Sequence, residues 1–190
     1  MNIQQEVKPE EFLGRLKYCG KDVRIFEKAQ LIKPDSISLG DHSQVDDFVW
    51  ILGGQGVEIG RRVHISAFSS IAGGGKCDIE DYASVAIGCR IITGTDDFSG
   101  RHLINPCVPL EYRNVTRSFV RICRFATLAT NVIVTPGVTI GEGVLVMAGS
   151  MVTKDLGEWG IYLGTPPKRI AERDAELIKN MARDLEEKYG

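Results

Sequence analysis

Long hydrophobic runs are missing from this chain. No apolar stretch approaches the roughly 20 residues that cross a bilayer, so no helical membrane span is expected. The stretch after Met1, NIQQEVKPEEF, is polar and lacks the apolar core of a secretory leader. Charge of one sign is missing as well: 23 Lys and Arg stand against 25 Asp and Glu, with no block of like charge. That distribution leaves no footprint for nucleic acid or an anionic membrane. Cysteine is sparse and unpaired in pattern, at 19, 77, 89, 107 and 123. An odd count without a C-x-x-C argues against a disulfide framework or a zinc knuckle. Cys89 and Cys123 sit beside apolar positions, where a free cysteine acts as a small hydrophobe, and all five read as reduced thiols in a cytoplasmic protein. Histidine occurs only at 42, 64 and 102, without the paired spacing of a metal site.

What the chain has is glycine, 21 residues, most of them between 53 and 164, and a period of six. Ile122, Leu128, Val134, Ile140, Val146 and Val152 follow one another without a break; Ile59, Ile65, Ile71 and then Ile79, Val85, Ile91 form two earlier runs. The step from Ile71 to Ile79 is eight, which fits a two-residue insertion at Gly73-Gly74-Gly75. Six residues make a short strand and a tight turn, and three such units close a triangular coil. Each anchor then points inward and stacks on the next coil about 4.8 Å away, while glycine and polar residues turn the corners. A parallel β-helix follows. The glycines of GGQGVEIG fit its corners better than a dinucleotide fingerprint, and no G-x-x-x-x-G-K-[ST] loop occurs, so nucleotidyl transfer is not expected.

The division expected is a helical cap over 1–22, the β-helix over 23–165 with a projecting loop at 94–119, and a helical tail over 166–190. Phe12, Leu13 and Leu16 share one side of a short N-terminal helix. Ala171, Ala175, Ile178, Ala182, Leu185 and Tyr189 form one stripe of the tail. The loop, GTDDFSGRHLINPCVPLEYRNVTRS, breaks the period and holds paired aspartates and a histidine. A long loop inside a repeat is a place to seek chemistry.

ISAFSSIAGGGKCDIED, VAIGCRIITGTDD, VIVTPGVTIGEGVLVMAGSMVTKDL and GIYLGTPPKRI closely resemble the hexapeptide-repeat acetyltransferases over roughly residues 37 to 170. Within them the chain looks most like the maltose- and galactoside-acetyltransferase-like group, in its bacterial surface-polysaccharide O-acetyltransferase branch. The resemblance implies left-handed coils, a homotrimer, and acetyl-CoA as co-substrate in a groove between subunits. It implies acetyl transfer to a sugar hydroxyl on a precursor of surface polysaccharide such as lipopolysaccharide. Carried over by motif, the groove residues are Ala129, Asn131, Ala148, Gly149, Thr153 and Lys154, with Lys168 or Arg169 near the phosphates. Small residues let the pantetheine arm lie along the coil, and a cation suits a phosphate. No metal is expected.

The family's step uses a histidine as general base, because the hydroxyl loses its proton as it attacks. In the matching stretch, Thr93-Gly94-Thr95-Asp96-Asp97-Phe98, aspartate stands in that histidine's place. Three accounts remain open. Asp97 takes the base role or holds a histidine, with Asp96 raising its pKa as a like charge; His64 reaches the groove from another corner or subunit; or His102 swings in from the loop. His42 is the weakest candidate. Thr127 occupies the place of the family's tryptophan near the groove. The missing histidine keeps N-acetylation of a nucleotide-linked amino sugar in play, and also a non-catalytic trimeric scaffold. Phe98, Tyr112, Arg113 and Asn114 are candidate sugar contacts. A zinc carbonic anhydrase on the same coil needs three histidines around one metal and fits poorly.

Overall fold

The computed structural model describes residues 6–189. It is a left-handed parallel β-helix of about seven turns, with two helices and one projecting loop. Three parallel sheets form the faces of a triangular prism. The first runs from Tyr18–Cys19 through Ile37–Leu39, Val57–Ile59, Lys76–Ile79 and Phe119–Ile122 to Val138–Ile140. The second runs from Arg24–Ile25 to Leu145–Val146 and is extended by Gly160–Gly164 and Pro167–Glu172, the third from Gln30–Ile32 to Met151–Val152.

The period of six is the core itself. Along the second sheet Ile25, Val45, Ile65, Val85, Leu128 and Val146 lie in register, and all are buried. Each such side chain removed from water stabilises the fold by about 1.5–3 kcal/mol. The intervening residues point outward, so Gln44, His64, Ser84 and Thr127 form a polar ladder on the outer face of that sheet.

The insertion read at Gly73–Gly75 recurs at the same corner one and two coils earlier, at Gly53–Gly56 and at Pro34–Ser36. Partners in the early coils are therefore 20 residues apart, as Val45 and Ile65 are, whereas Leu128 and Val146 after the loop are 18 apart. The loop rises from this same corner, between the third and first sheets. Its base is pinned by close backbone packing, since a Cβ on Gly94 would stand 2.5 Å from Gly73 O. Buried Thr93 holds it further, its Oγ1 accepting from Gly75 N at 2.9 Å and donating to Ala72 O at 2.8 Å.

The ends differ from the expected division. The solenoid starts ahead of residue 23, because Tyr18–Cys19 already pairs with Ile37–Leu39; among the described residues before it only Glu10–Leu13 (α1) is helical. At the other end Pro167–Glu172 is a strand folded back on Gly160–Gly164, because those backbone groups find antiparallel partners there. The second helix, α2, spans Ala175–Tyr189. Ile178, Ala182 and Leu185 face Tyr82 and Phe125 across an apolar recess as the stripe predicts, but Ala171 lies in the strand and Tyr189 is exposed.

Candidate active site

The projecting loop is a short antiparallel ribbon, Gly94–Asp96 against Val115–Arg117. Asp97 N–H extends it by donating to Asn114 O at 2.9 Å. Just beyond the ribbon the chain turns on Asp97, whose Oδ1 accepts the Ser99 N–H at 2.8 Å. The turn brings His102 back over the ribbon, and its Nδ1 lies 2.7 Å from Asp97 Oδ2. With Nδ1 carrying the proton to the carboxylate, the imidazole presents Nε2 as a proton acceptor. Gly100, Arg101, Leu103, Glu111 and Tyr112 line the recess around it.

The Ser99 hydroxyl and N–H, and then His102, hold the Asp97 carboxyl down at about 2. This corrects the expectation that Asp96 raises it. Asp96 turns instead to Arg113, Oδ1 to Nη2 3.6 Å, so its charge is met by a guanidinium. Asp96 Oδ1 and Arg113 Nε are buried without a hydrogen-bond partner, so this pair is not closed by the described residues. Arg113 and Asn114, expected as sugar contacts, are engaged within the loop, whereas Phe98 and Tyr112 are exposed.

His64 sits apart from this pair within one chain, on the outer face of the second sheet, opposite the corner that bears the loop. It too has a carboxylate: Nε2 lies 3.0 Å from Asp46 Oδ2, while Gln44 Nε2 donates to Asp46 Oδ1 at 2.8 Å. Sequence reading missed Asp46 and Gln44. The 20-residue register that sets Gln44 beside His64 shows only in the fold, where the corner insertion recurs in each early coil. His42 occupies a left-handed corner at φ 58°, with Nδ1 3.5 Å from Asp22. The three histidines thus lie on a corner, a sheet face and the loop, and do not converge on one metal.

The expected groove residues line the corner where the second and third sheets meet and its surroundings. Ala129 and Asn131 turn one coil there, and Ala148 and Gly149 the next. Asn131 and Gly149 take left-handed φ of 58° and 71°, and a Cβ on Gly149 would meet nothing within 4 Å. Glycine is there for its conformation, and the space above it is open. Thr153 and Lys154 follow the last strand of the third sheet; Lys168 and Arg169 lie on the strand added to the second. Lys154 and Lys168 have no ion-pair partner among the described residues, whereas Arg169 is 3.3 Å from Glu172 and donates to Glu158 O.

No protein-family model matches the chain. A curated relative, the dTDP-4-amino-4,6-dideoxy-D-glucose acyltransferase of Escherichia coli, is 35% identical over 164 residues, 86% of this chain and 85% of the relative. A variant of AntD, an N-acyltransferase from Bacillus cereus solved with dTDP-4-amino-4,6-dideoxyglucose and coenzyme A, superposes with a TM-score of 0.89. It is 32% identical and the match covers 97% of this chain and 99% of that one. A hexapeptide-repeat acetyltransferase of Vibrio cholerae, solved with acetyl-CoA, shares the fold at a TM-score of 0.59 and 18% identity over 86% of this chain and 75% of that one. The relatives at least 30% identical over more than two thirds of both chains are a dTDP-amino-sugar acyltransferase and an N-acyltransferase, whereas a maltose O-acetyltransferase of Clostridium difficile shares the fold at a TM-score of 0.58 and 21% identity, over 87% of this chain and 74% of that one.

Proposed function

Because the chain belongs to the hexapeptide-repeat acyltransferase superfamily, we propose that it moves an acyl group from a coenzyme A thioester to the amino group of a nucleotide-linked amino sugar. Acyl transfer is the common ground of its relatives, and a dTDP-linked amino sugar is named for two of them. The amine is favoured over a hydroxyl by the two relatives above, whose sugar acceptor carries a 4-amino group. The observation on this chain that carries the reading is the Asp97–His102 pair on the loop.

The chemistry assigns these residues simple tasks. The sugar arrives as an ammonium and must shed one proton before it can attack. His102 Nε2 accepts that proton, and Asp97, ionised at every working pH, holds the ring by Nδ1 and stabilises the imidazolium. The amine nitrogen then bonds to the thioester carbonyl carbon, the C–S bond breaks, and the second nitrogen proton goes to the departing sulfur as coenzyme A leaves. An amine needs less help than a hydroxyl, which suits a base on an exposed loop.

The small residues at Ala129, Ala148 and Gly149 leave room for the pantetheine arm, and Lys154 and Lys168 are cations suited to its phosphates. We place a second copy of the chain against the loop, as a trimer would. Leu103, Ile104 and Leu110 are apolar and exposed on it, a pattern that a neighbouring surface would cover.

The test is a thiol-release assay with acetyl-CoA and dTDP-4-amino-4,6-dideoxyglucose, with the product read by mass spectrometry. Acceptor-dependent release of coenzyme A and an amide product are expected. Release with a hydroxyl sugar and none with the amino sugar would return the O-acetyl reading.

A further inference from the structure

Two corners of the coil carry aromatic columns, and only one is covered. At the corner between the first and second sheets, Tyr82, Phe125 and Trp159 hold left-handed φ values of 61°, 62° and 55°. Tyr82 and Phe125 stack at 5.2 Å, Phe125 and Trp159 lie 6.1 Å apart, and α2 closes over the column, leaving Phe125 only 6% exposed. At the corner between the second and third sheets, Phe48 and Phe68 both hold φ 62° and stack at 5.1 Å, their planes 6° apart. No element among the described residues covers them. They are 50% and 56% exposed.

That exposed pair is not explained by folding. A bulky side chain at positive φ is disfavoured by its own Cβ, and the later coils fill this corner with Gly88, Asn131 and Gly149, which suit the conformation. Two phenylalanines kept there, half in water, gain little for the fold beyond their own stacking. The pair also has a direction. Lys28 covers the far face of Phe48, its Nζ 5.5 Å from the ring centroid. Beyond Phe68 the next coil presents Gly88, which has no side chain; the Asn131 side-chain amide leans back over Gly88, and Phe68 remains 56% exposed.

We propose that the outer face of Phe68 is the platform on which the pyrimidine base of the nucleotide-linked acceptor stacks, with its diphosphate directed to Arg90. Arg90 donates through Nη1 to Phe68 O, to Gly88 O at 2.9 Å and to Cys89 O at 3.1 Å, which sets the guanidinium beside the open face. Arg90 and Lys28 have no carboxylate partner among the described residues, and the flanking acids are engaged, Asp46 by His64 and Gln44 and Asp47 by Lys28 N–H at 2.8 Å. A small aromatic ledge rimmed by unpaired cations fits a planar base joined to an anion. A protein partner would have to accommodate Lys28 and Arg90 beside the two rings.

The placement agrees with the course proposed for coenzyme A. Phe68 lies on the same corner as Asn131 and Gly149, with Gly88 between them. Phosphate-binding Lys154 and Lys168 at the C-terminal end put the donor's own adenine far from Phe68. The two substrates would then enter the corner from opposite ends and meet near Gly88.

This inference rests on the acceptor class proposed above, and the experiment separates the two. Calorimetric titration of the full chain with dTDP is compared with Phe68→Asn and with Phe48→Asn/Phe68→Asn, each titrated with coenzyme A in parallel and weighed by sedimentation. Asparagine tolerates the left-handed corner, as Asn131 does, so both variants are expected to fold. The proposal expects dTDP affinity to fall about tenfold or more, with coenzyme A affinity and assembly mass unchanged. Wild-type affinity for dTDP in both variants would overturn the platform while leaving the acceptor class intact. Coenzyme A binding without any dTDP binding by the wild-type chain would overturn the acceptor class and the platform with it. A changed assembly mass would make the pair a contact between copies and overturn the proposal.

Discussion

His102 Nδ1 and Asp97 Oδ2 lie 2.7 Å apart on a loop whose base is pinned by Thr93 and by the close packing of Gly94 on Gly73. A carboxylate that orients one ring nitrogen leaves the other free to take a proton, and the loop carries that nitrogen away from the prism. Fixing the tautomer is what a proton acceptor requires. The pinned base restricts the range over which it can wander.

If His102 takes the proton, His102→Gln should lower kcat about 10²- to 10⁴-fold. The KM for the thioester should stay within a few-fold. An equal loss for His64→Gln, with His102→Gln active, would transfer the role to the Asp46–His64 pair. Steady-state kinetics of the two variants decides it.

Asp97 gives a pH prediction of definite sign. Its folded value, about 2, lies below the ordinary aspartate value near 3.9. A depressed carboxyl stabilises the folded loop fully above its unfolded pKa, and the contribution is lost as pH falls from about 4 toward about 2. Carboxyl NMR titration should find the Asp97 midpoint near 2, rising toward the ordinary value in Ser99→Ala or His102→Gln. An unchanged midpoint in both would mean that neither partner holds it.

Gly149→Trp and Lys154→Glu should each weaken coenzyme A binding by about tenfold or more in calorimetry. The first fills the open space above the corner and the second reverses a charge suited to a phosphate. Gly149→Trp should also lower the Tm slightly, since φ 71° disfavours any Cβ. Unaltered affinity in both would move the donor groove elsewhere.

Arg173 fastens the tail. Its Nη1 donates to Phe125 O at 3.0 Å and to Gly143 O at 2.9 Å, next to the aromatic column that α2 covers. Arg173→Ala should cost about 1–3 kcal/mol of local stability. Hydrogen exchange should speed across Ala175–Tyr189 while the coil strands keep their protection. Uniform loosening of both would show that the helix and the coil unfold as one unit.

Much of the architecture was legible in the spacing of a few residues. Ile65, Val85 and Leu128 announce the β-helix because a side chain that must point inward once per strand is forced onto a fixed period by the strand's own geometry. The break in that period marked the loop for the same reason, and the glycine step at Gly73–Gly75 marked the corner from which it rises. Asn131 and Gly149 were picked out by the resemblance of their motifs, and the left-handed corner explains why asparagine and glycine stand there.

The tertiary structure decided everything that depends on which coil lies beside which. His64 meets Asp46 and Phe48 meets Phe68 only because the early coils take 20 residues, a register that the insertion seen once in the sequence did not reveal. Asp97 was drawn below its ordinary pKa, against the expectation from neighbouring Asp96, because a turn brought Ser99 and His102 to it while Arg113 turned Asp96 aside. A periodic strand leaves its side chains little choice of direction. A loop's side chains find their partners only through the folded path of the chain, and no local spacing encodes that path.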